Sequence, residues 1–241
     1  MLAVNDLLTQ QTMPAWSDIS LKLYKDFSIQ YLLKRCFEYH LVNGLIINVE
    51  FKEWAMKHLW AIQHIDSSID KKLLFTEIDN GLEISTFMAD SRKRKKILHY
   101  KDRVRMFACI YYIMKSGNLV YVENGTIAGA RIRVNYIRSK IISGKGVNVG
   151  MRLEDGAYVP LTMLIDTATN PYKTVDKLHP QKVFKLFIKE DGKVIEEIYY
   201  NKYWGKKKKN PVTIHKKVPN CFRADTYSEK LKRAKVRNRQ R

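Results

Sequence analysis

The spacing of the apolar residues changes most broadly along this chain at Ser116-Gly117, and that change limits the fold more than any other feature. Ahead of Gly117 apolar residues recur three and four apart, the period of a helix with one buried face. Behind it they alternate and glycine turns recur, the grammar of an antiparallel strand ladder. The expected fold class is α+β: N-terminal helices packed on a twisted, mostly antiparallel C-terminal sheet. Residues 1–16 read as an N-terminal arm and residues 17–201 as one domain, mainly helical over 17–117 and mainly strands over 118–201. Residues 202–241 read as a basic tail.

In the helical half, Ser17 is a candidate N-cap for an amphipathic helix over Asp18–His40, which Asn43-Gly44 ends. The run LIINVEF alternates as a strand and feeds a second helix within Asn48–Ile65. There Phe51, Ala55, Met56, Leu59 and Ile62, flanked by Trp60, form an apolar stripe. His58 and His64 lie about one and a half turns apart, so they do not share a face, and neither belongs to a pair four apart with an intervening carboxylate, as a helical metal site requires. Taken alone, His58 is also explained as a core-flanking histidine bonded to backbone. Two short helices are expected between Ser67 and Asp90, broken at Asn80-Gly81. The basic segment SRKRKKILHYKDRVR (91–105) then precedes an apolar helix, MFACIYYIMK.

The second half offers six strand-like runs: LVYVENG, ARIRVNYIRSK, GVNVGMRLEDG, AYVPLTMLIDT, KVFKLFIKEDG and KVIEEIYYNKYW. Hairpin turns are expected at Glu123-Asn124-Gly125, Glu154-Asp155-Gly156 and Glu190-Asp191-Gly192. Alternation sends Arg131, Arg133 and Asn135 to one face, where Arg152, Thr162, Lys182 and Lys185 of neighbouring strands are candidates to join them. The loop Asp166–Lys182 is long for a compact domain and carries His179, held extended by Pro180.

Charge narrows the function. Lys and Arg number 44 against 24 Asp and Glu, a formal net charge of +20. From Lys202 onward 15 basic residues oppose Asp225 and Glu229, so 15 − 2 = +13 of the +20 lies in the tail, which includes Lys206, Lys207, Lys208, Lys209, Lys232 and Arg233. Such a surplus calls for a polyanionic partner. No apolar run reaches the roughly 18–20 residues of a membrane span, and the N-terminus lacks the pattern of a signal peptide. The expected partner is therefore RNA, or else DNA, rather than a membrane, in the cytoplasm. Arg92, Lys93, Arg94, Lys95 and Lys96, together with Arg152 and the tail, are the candidate phosphate contacts, although a basic run is also an ordinary solvated face. Cys36, Cys109 and Cys221 are odd in number, widely spaced and without a CxxC pair, which fits a reducing compartment and offers no zinc site. No cofactor or metal is expected.

The order of elements resembles the phage-associated nucleases of the barnase, EndoU, colicin and RelE-like (BECR) superfamily. The similarity is to the group whose hallmark is a Phe, five residues on an aromatic or large apolar residue, then x-His-Leu-Thr-Gly. Phe51, Met56, His58 and Leu59 stand at those spacings, and Trp60-Ala61 takes the place of Thr-Gly. The resemblance implies a metal-independent endoribonuclease in which the RNA 2′-hydroxyl attacks the adjacent phosphorus and leaves a cyclic phosphate. It implies a phage or mobile-element toxin or effector, with an antitoxin or immunity partner. His58 would be the acid or base, because imidazole titrates near neutrality. Arg131 and Arg133 would clamp the phosphate bidentately, with Thr162, Lys182 and His179 as their partners. The alternative that explains the charge equally well is a non-catalytic RNA- or DNA-binding protein, regulatory or belonging to a virion or ribosome-associated particle.

Overall fold

A computed structural model describes residues 1–123, 133–166 and 178–200. The chain divides into a unit Met1–Trp204, which holds all of these, and a unit Gly205–Arg241. The class is α+β: short helices over the first half and one large, twisted, mostly antiparallel sheet. The arm at residues 1–16 is part of this fold, because a 3-10 turn at Val4–Leu8 buries Leu7 completely.

The helix expected over Asp18–His40 is only its first half. Ser20, rather than Ser17, caps α1 (Leu21–Phe27), accepting from Leu23 N at 3.0 Å. A π turn at Ser28–Leu32 follows, and then the chain extends as β1 (Arg35–Leu41). The run RCFEYHL satisfies both periods. Its aromatic and apolar Phe37, Tyr39 and Leu41 all fall on one side of a strand, and burial of that side decides in favour of the sheet. Asn43-Gly44 is accordingly the turn of a hairpin to β2 (Ile46–Glu50), with Gly44 at φ +87.

From there the helical layer is built of short pieces: α2 (Glu53–Leu59), α3 (Ile62–Ile65), α4 (Leu74–Asp79), α5 (Ile84–Ala89), α6 (Ser91–His99), α7 (Lys101–Met106) and α8 (Ile110–Ser116). The two helices expected before Asp90 are α4 and α5, and Gly81 at φ +96 supplies the break between them. The basic segment is itself helical, forming α6 and α7.

The strands β3 (Asn118–Val122), β4 (Tyr136–Ile142), β5 (Lys145–Glu154), β6 (Ala157–Asp166), β7 (Leu178–Gln181), β8 (Val183–Glu190) and β9 (Lys193–Tyr199) complete a sheet of order β7-β3-β4-β5-β6-β2-β1-β8-β9. It is not built from the C-terminal half alone, since β1 and β2 sit inside it between β6 and β8. The contact between β2 and β6, Val49 beside Tyr158, is parallel. Asp155-Gly156 and Asp191-Gly192 turn hairpins with positive φ at both residues, as does Ser143-Gly144, which the sequence reading passed over. The turn expected at Glu123-Asn124-Gly125 lies mostly outside the described residues.

The sheet curls strongly. Its edge strand β7 pairs with β3, while β8, at the far end of the order, pairs with β1; Lys182 alone separates β7 from β8. One intervening residue lets the two strand ends stand at most roughly 7 Å apart. Val42 N donates to Lys182 O at 2.9 Å, so the chain passes from one flank of the sheet to the other without a loop. The end of α8 fills the curl. Tyr39 of β1 donates to Met114 O at 2.8 Å and Arg138 of β4 to the same oxygen at 3.2 Å, although four steps of the strand order separate β1 from β4.

Candidate nucleic-acid interface and active-site histidine

Helix α2 starts after Phe51, which is buried, and has Glu53 in its first turn, where a carboxylate suits the helix dipole. Ala55 packs with Val159 and Leu161 of β6, and Met56 and Leu59 enter the main core. The helix stops at Trp60, whose ring lies 5.9 Å from Tyr24, 5.9 Å from Phe75 and 5.5 Å from Phe107. Ala61 then takes a left-handed conformation, φ 63, before α3 begins. Arg103 of α7, only 7% exposed, covers the carbonyl end of α2 by donating from Nη2 to His58 O and from Nε to Leu59 O at 3.4 Å. Burial lowers the Arg103 pKa to about 10, so the guanidinium stays charged at neutral pH. Lys57 holds the opposite flank through Ser67 O at 3.3 Å and Ile69 O.

His58 therefore sits on a backbone fixed from both sides. Its ring is half-buried, and Nδ1 is buried without a hydrogen-bond partner among the described residues. Burial lowers its pKa below the usual 6.5, and the nearby charges of Arg103, Lys57, Lys71 and His64 push it further down. The imidazole is neutral at pH 7, the form that accepts a proton.

The other residues of the expected site do not gather around it. Arg133 is exposed, three residues ahead of β4, which begins at Tyr136. Thr162 is 4% exposed, its methyl group crowded with Val134 over Gly150, where a Cβ would meet Thr162 Cγ2 at 2.8 Å. That places it in the sheet interior rather than at a solvent-facing phosphate site. His179 is exposed on β7, 3.3 Å from Glu123 and with its ring 6.1 Å from that of Tyr121. Lys182 lines a cleft of about 510 Å³ together with Arg138, Phe184 and Tyr200. None of these four hydrogen-bonds to His58 or belongs to the charges acting most on it. Arg131 lies outside the described residues.

The basic candidates separate in the same way. Asp90 caps α6 by accepting from Arg92 N at 2.8 Å and Lys93 N at 3.0 Å. Lys93 is committed to Asp66 at 2.7 Å. Burial alone would raise the Asp66 pKa, but hydrogen bonds from Lys93 and Ser68 outweigh it and hold the carboxyl at about 2. Arg152 pairs with Glu154. Arg92, Arg94, Lys95 and Lys96 are exposed, with no ion pair among the described residues. Lys206, Lys207, Lys208, Lys209, Lys232 and Arg233 lie outside them.

Two groups escaped the sequence reading. Arg138, 1% exposed, lies 4.7 Å over the Tyr39 ring and 5.8 Å from that of Tyr200, and donates to the carbonyls of Met114 and Lys115 and to Tyr200 Oη. It caps the end of α8, where unpaired carbonyls attract a cation. An arginine in an alternating strand carries no mark of such burial. The second group is a set of stacked rings. His64 lies parallel to Tyr100 at 4.6 Å, and His99 meets Tyr100 edge-on at 4.8 Å. The pair His99-Tyr100 at the end of a basic run was its visible sign. Among the described residues no three or more His, Cys, Asp or Glu side chains assemble into a metal-binding set, and no helix is long and apolar enough to cross a membrane. No protein-family model matches the chain, and neither the curated proteins nor the solved structures contain a match.

Proposed function

We propose that the protein is a metal-independent endoribonuclease acting on cytoplasmic RNA, with His58 as the proton carrier. One observation carries this: a half-buried imidazole on a rigid helix end, kept neutral by burial and surrounding cations. Such a ring takes the proton of a ribose 2′-hydroxyl as that oxygen attacks the adjacent phosphorus. The 2′-O–P bond forms, the P–O5′ bond breaks, and the departing 5′-oxygen takes a proton from the solvent or from an acid. The charge gathering on the phosphorane is offset by the cations around the ring, exposed Lys71 among them. The backbone supports the family resemblance at one further point. Residue 61 is left-handed here, and it is the position at which the hallmark motif has glycine, the residue that adopts that conformation most readily. Incubating the protein with single-stranded RNA in EDTA should produce fragments ending in 2′,3′-cyclic phosphate. Intact RNA, or fragments with 3′-hydroxyl ends, would reject the proposal.

The second reading is a non-catalytic RNA-binding protein. It is favoured by the lack, among the described residues, of any hydrogen bond from Arg133, Thr162 or His179 to His58. It expects retarded and uncut RNA in the same experiment.

A further inference from the structure

We infer that one flank of α6, with α3 beside it, is a track for single-stranded RNA, on which bases stack against the His64–Tyr100–His99 rings while phosphates follow the neighbouring cations. The inference deepens the proposed function by naming a substrate class, but binding at this track does not require that His58 react.

Arg92, Lys96 and His99 lie at i, i+4 and i+7 and share one side of α6, and Tyr100 is the residue that ends the helix. Ile97, by burial at 1% exposure, and Lys93, through Asp66, hold the neighbouring flank of the helix against the fold. The cations of the flank are thereby aimed at solvent. The rings continue the same line: His64 from α3 is exposed and parallel to Tyr100 at an interplanar angle of 16°. His99 is also exposed and meets Tyr100 at 89°. Nearly flat ring faces beside unpaired cations match a chain whose bases are free to stack and whose phosphates recur at every nucleotide. A duplex hides its base faces and offers only phosphates, so it engages half of this surface. The track also passes close to the proposed reaction centre, because the charge of His64 is among those that lower the His58 pKa.

The test uses the full-length protein and a labelled 12-nucleotide 2′-O-methyl oligouridylate, which has no 2′-hydroxyl to react, against a 2′-O-methyl duplex of equal length, by fluorescence anisotropy over a salt series. The single strand should bind more tightly than the duplex. Tyr100→Leu should weaken single-strand binding by about 5- to 100-fold, the scale of one lost base stack, and leave the salt dependence unchanged. The double variant Arg92→Gln with Lys96→Gln should reduce the slope of log K against log salt by about 1.4, roughly 0.7 for each lost phosphate contact. If Tyr100→Leu lowers the melting temperature, His99→Ser reads the same ring set from its exposed member and should also weaken binding. Equal affinity for strand and duplex, or ring variants that bind like the parent, would overturn the inference. So would ring variants that lose only the binding of phosphatidylserine vesicles, which would mark a membrane surface instead. Selective single-strand binding combined with no cleavage of unmodified RNA would sink the role of His58 and leave the track standing.

Discussion

His58 and Arg138 are the two side chains whose surroundings give the sharpest tests. The His58 pKa is lowered in the fold relative to the ordinary 6.5, so between the two values the unfolded chain binds more protons than the folded one. Its contribution to stability is present above pH 6.5 and is lost as the pH falls through the folded value. The melting temperature measured from pH 7.5 down to 5.5 should therefore decline less steeply in His58→Gln than in the parent; identical slopes would show that the ring is not held neutral. RNA cleavage dependent on this base should likewise persist below the pH at which a solvent-exposed histidine is protonated. Arg138 faces the end of α8 and two tyrosine rings. Replacing it with Ala should destabilise the fold by about 2–4 kcal/mol in urea unfolding, the scale of a charged hydrogen bond and a desolvated cation–π contact together. Arg138→Lys should recover only part of that, because an ammonium cannot both lie flat on a ring and reach two carbonyls. A change below about 0.5 kcal/mol, the usual range of exposed substitutions, would contradict its role as a cap.

At the scale of the element, the joints proved harder to read than the elements. The runs after Gly117 marked β5, β6, β8 and β9, because the tight hairpins that bound them demand positive φ at Asp155-Gly156 and Asp191-Gly192; the centres of β5 and β6 are buried on both faces. Residues 28–41 misled, since Leu32, Cys36 and Tyr39 keep helical spacing while Phe37, Tyr39 and Leu41 make a strand face, and only the neighbours β2 and β8 decide between them. The stop of α2 was likewise hidden: Ala61 has good helix propensity, and only the buried nest around Trp60 holds it left-handed. Gly117 was visible as a boundary but not for its physical reason. Its φ is −71, which any residue tolerates, yet a Cβ there would stand 2.8 Å from Ile113 O and 2.9 Å from Ser139 O, both backbone atoms. Gly117→Ala should thus cost about 1–3 kcal/mol through crowding between α8 and β4. A stability equal to the parent's in thermal unfolding would show that the joint is looser than described.

For the whole molecule, the α+β class followed from apolar spacing, a summed property that survives errors in individual elements; the expectation of a polyanionic partner rests on charge. The convergence of the site did not follow, because sheet order and curl decide which distant residues meet. His179 and Lys182 are carried to the β7–β8 crossing, while His58 stays with Arg103, Lys71 and His64 in the helical layer. The tail from Lys202 onward lies outside the described residues; under the proposed function its +13 would act through phosphate neutralisation whatever its conformation. A protein ending at Asn201 should bind RNA more weakly and with a shallower salt slope, and unchanged binding would remove the tail from the interface. The central claim is that His58 moves the proton in RNA cleavage, and the most direct measurement is the single-turnover rate on one single-stranded RNA in EDTA for the parent and for His58→Gln at matched folded fraction. The account predicts a drop of about two to four orders of magnitude with the melting temperature at neutral pH nearly unchanged. Equal rates, or a variant that loses its fold rather than its rate, would return His58 to the role of a core-flanking residue.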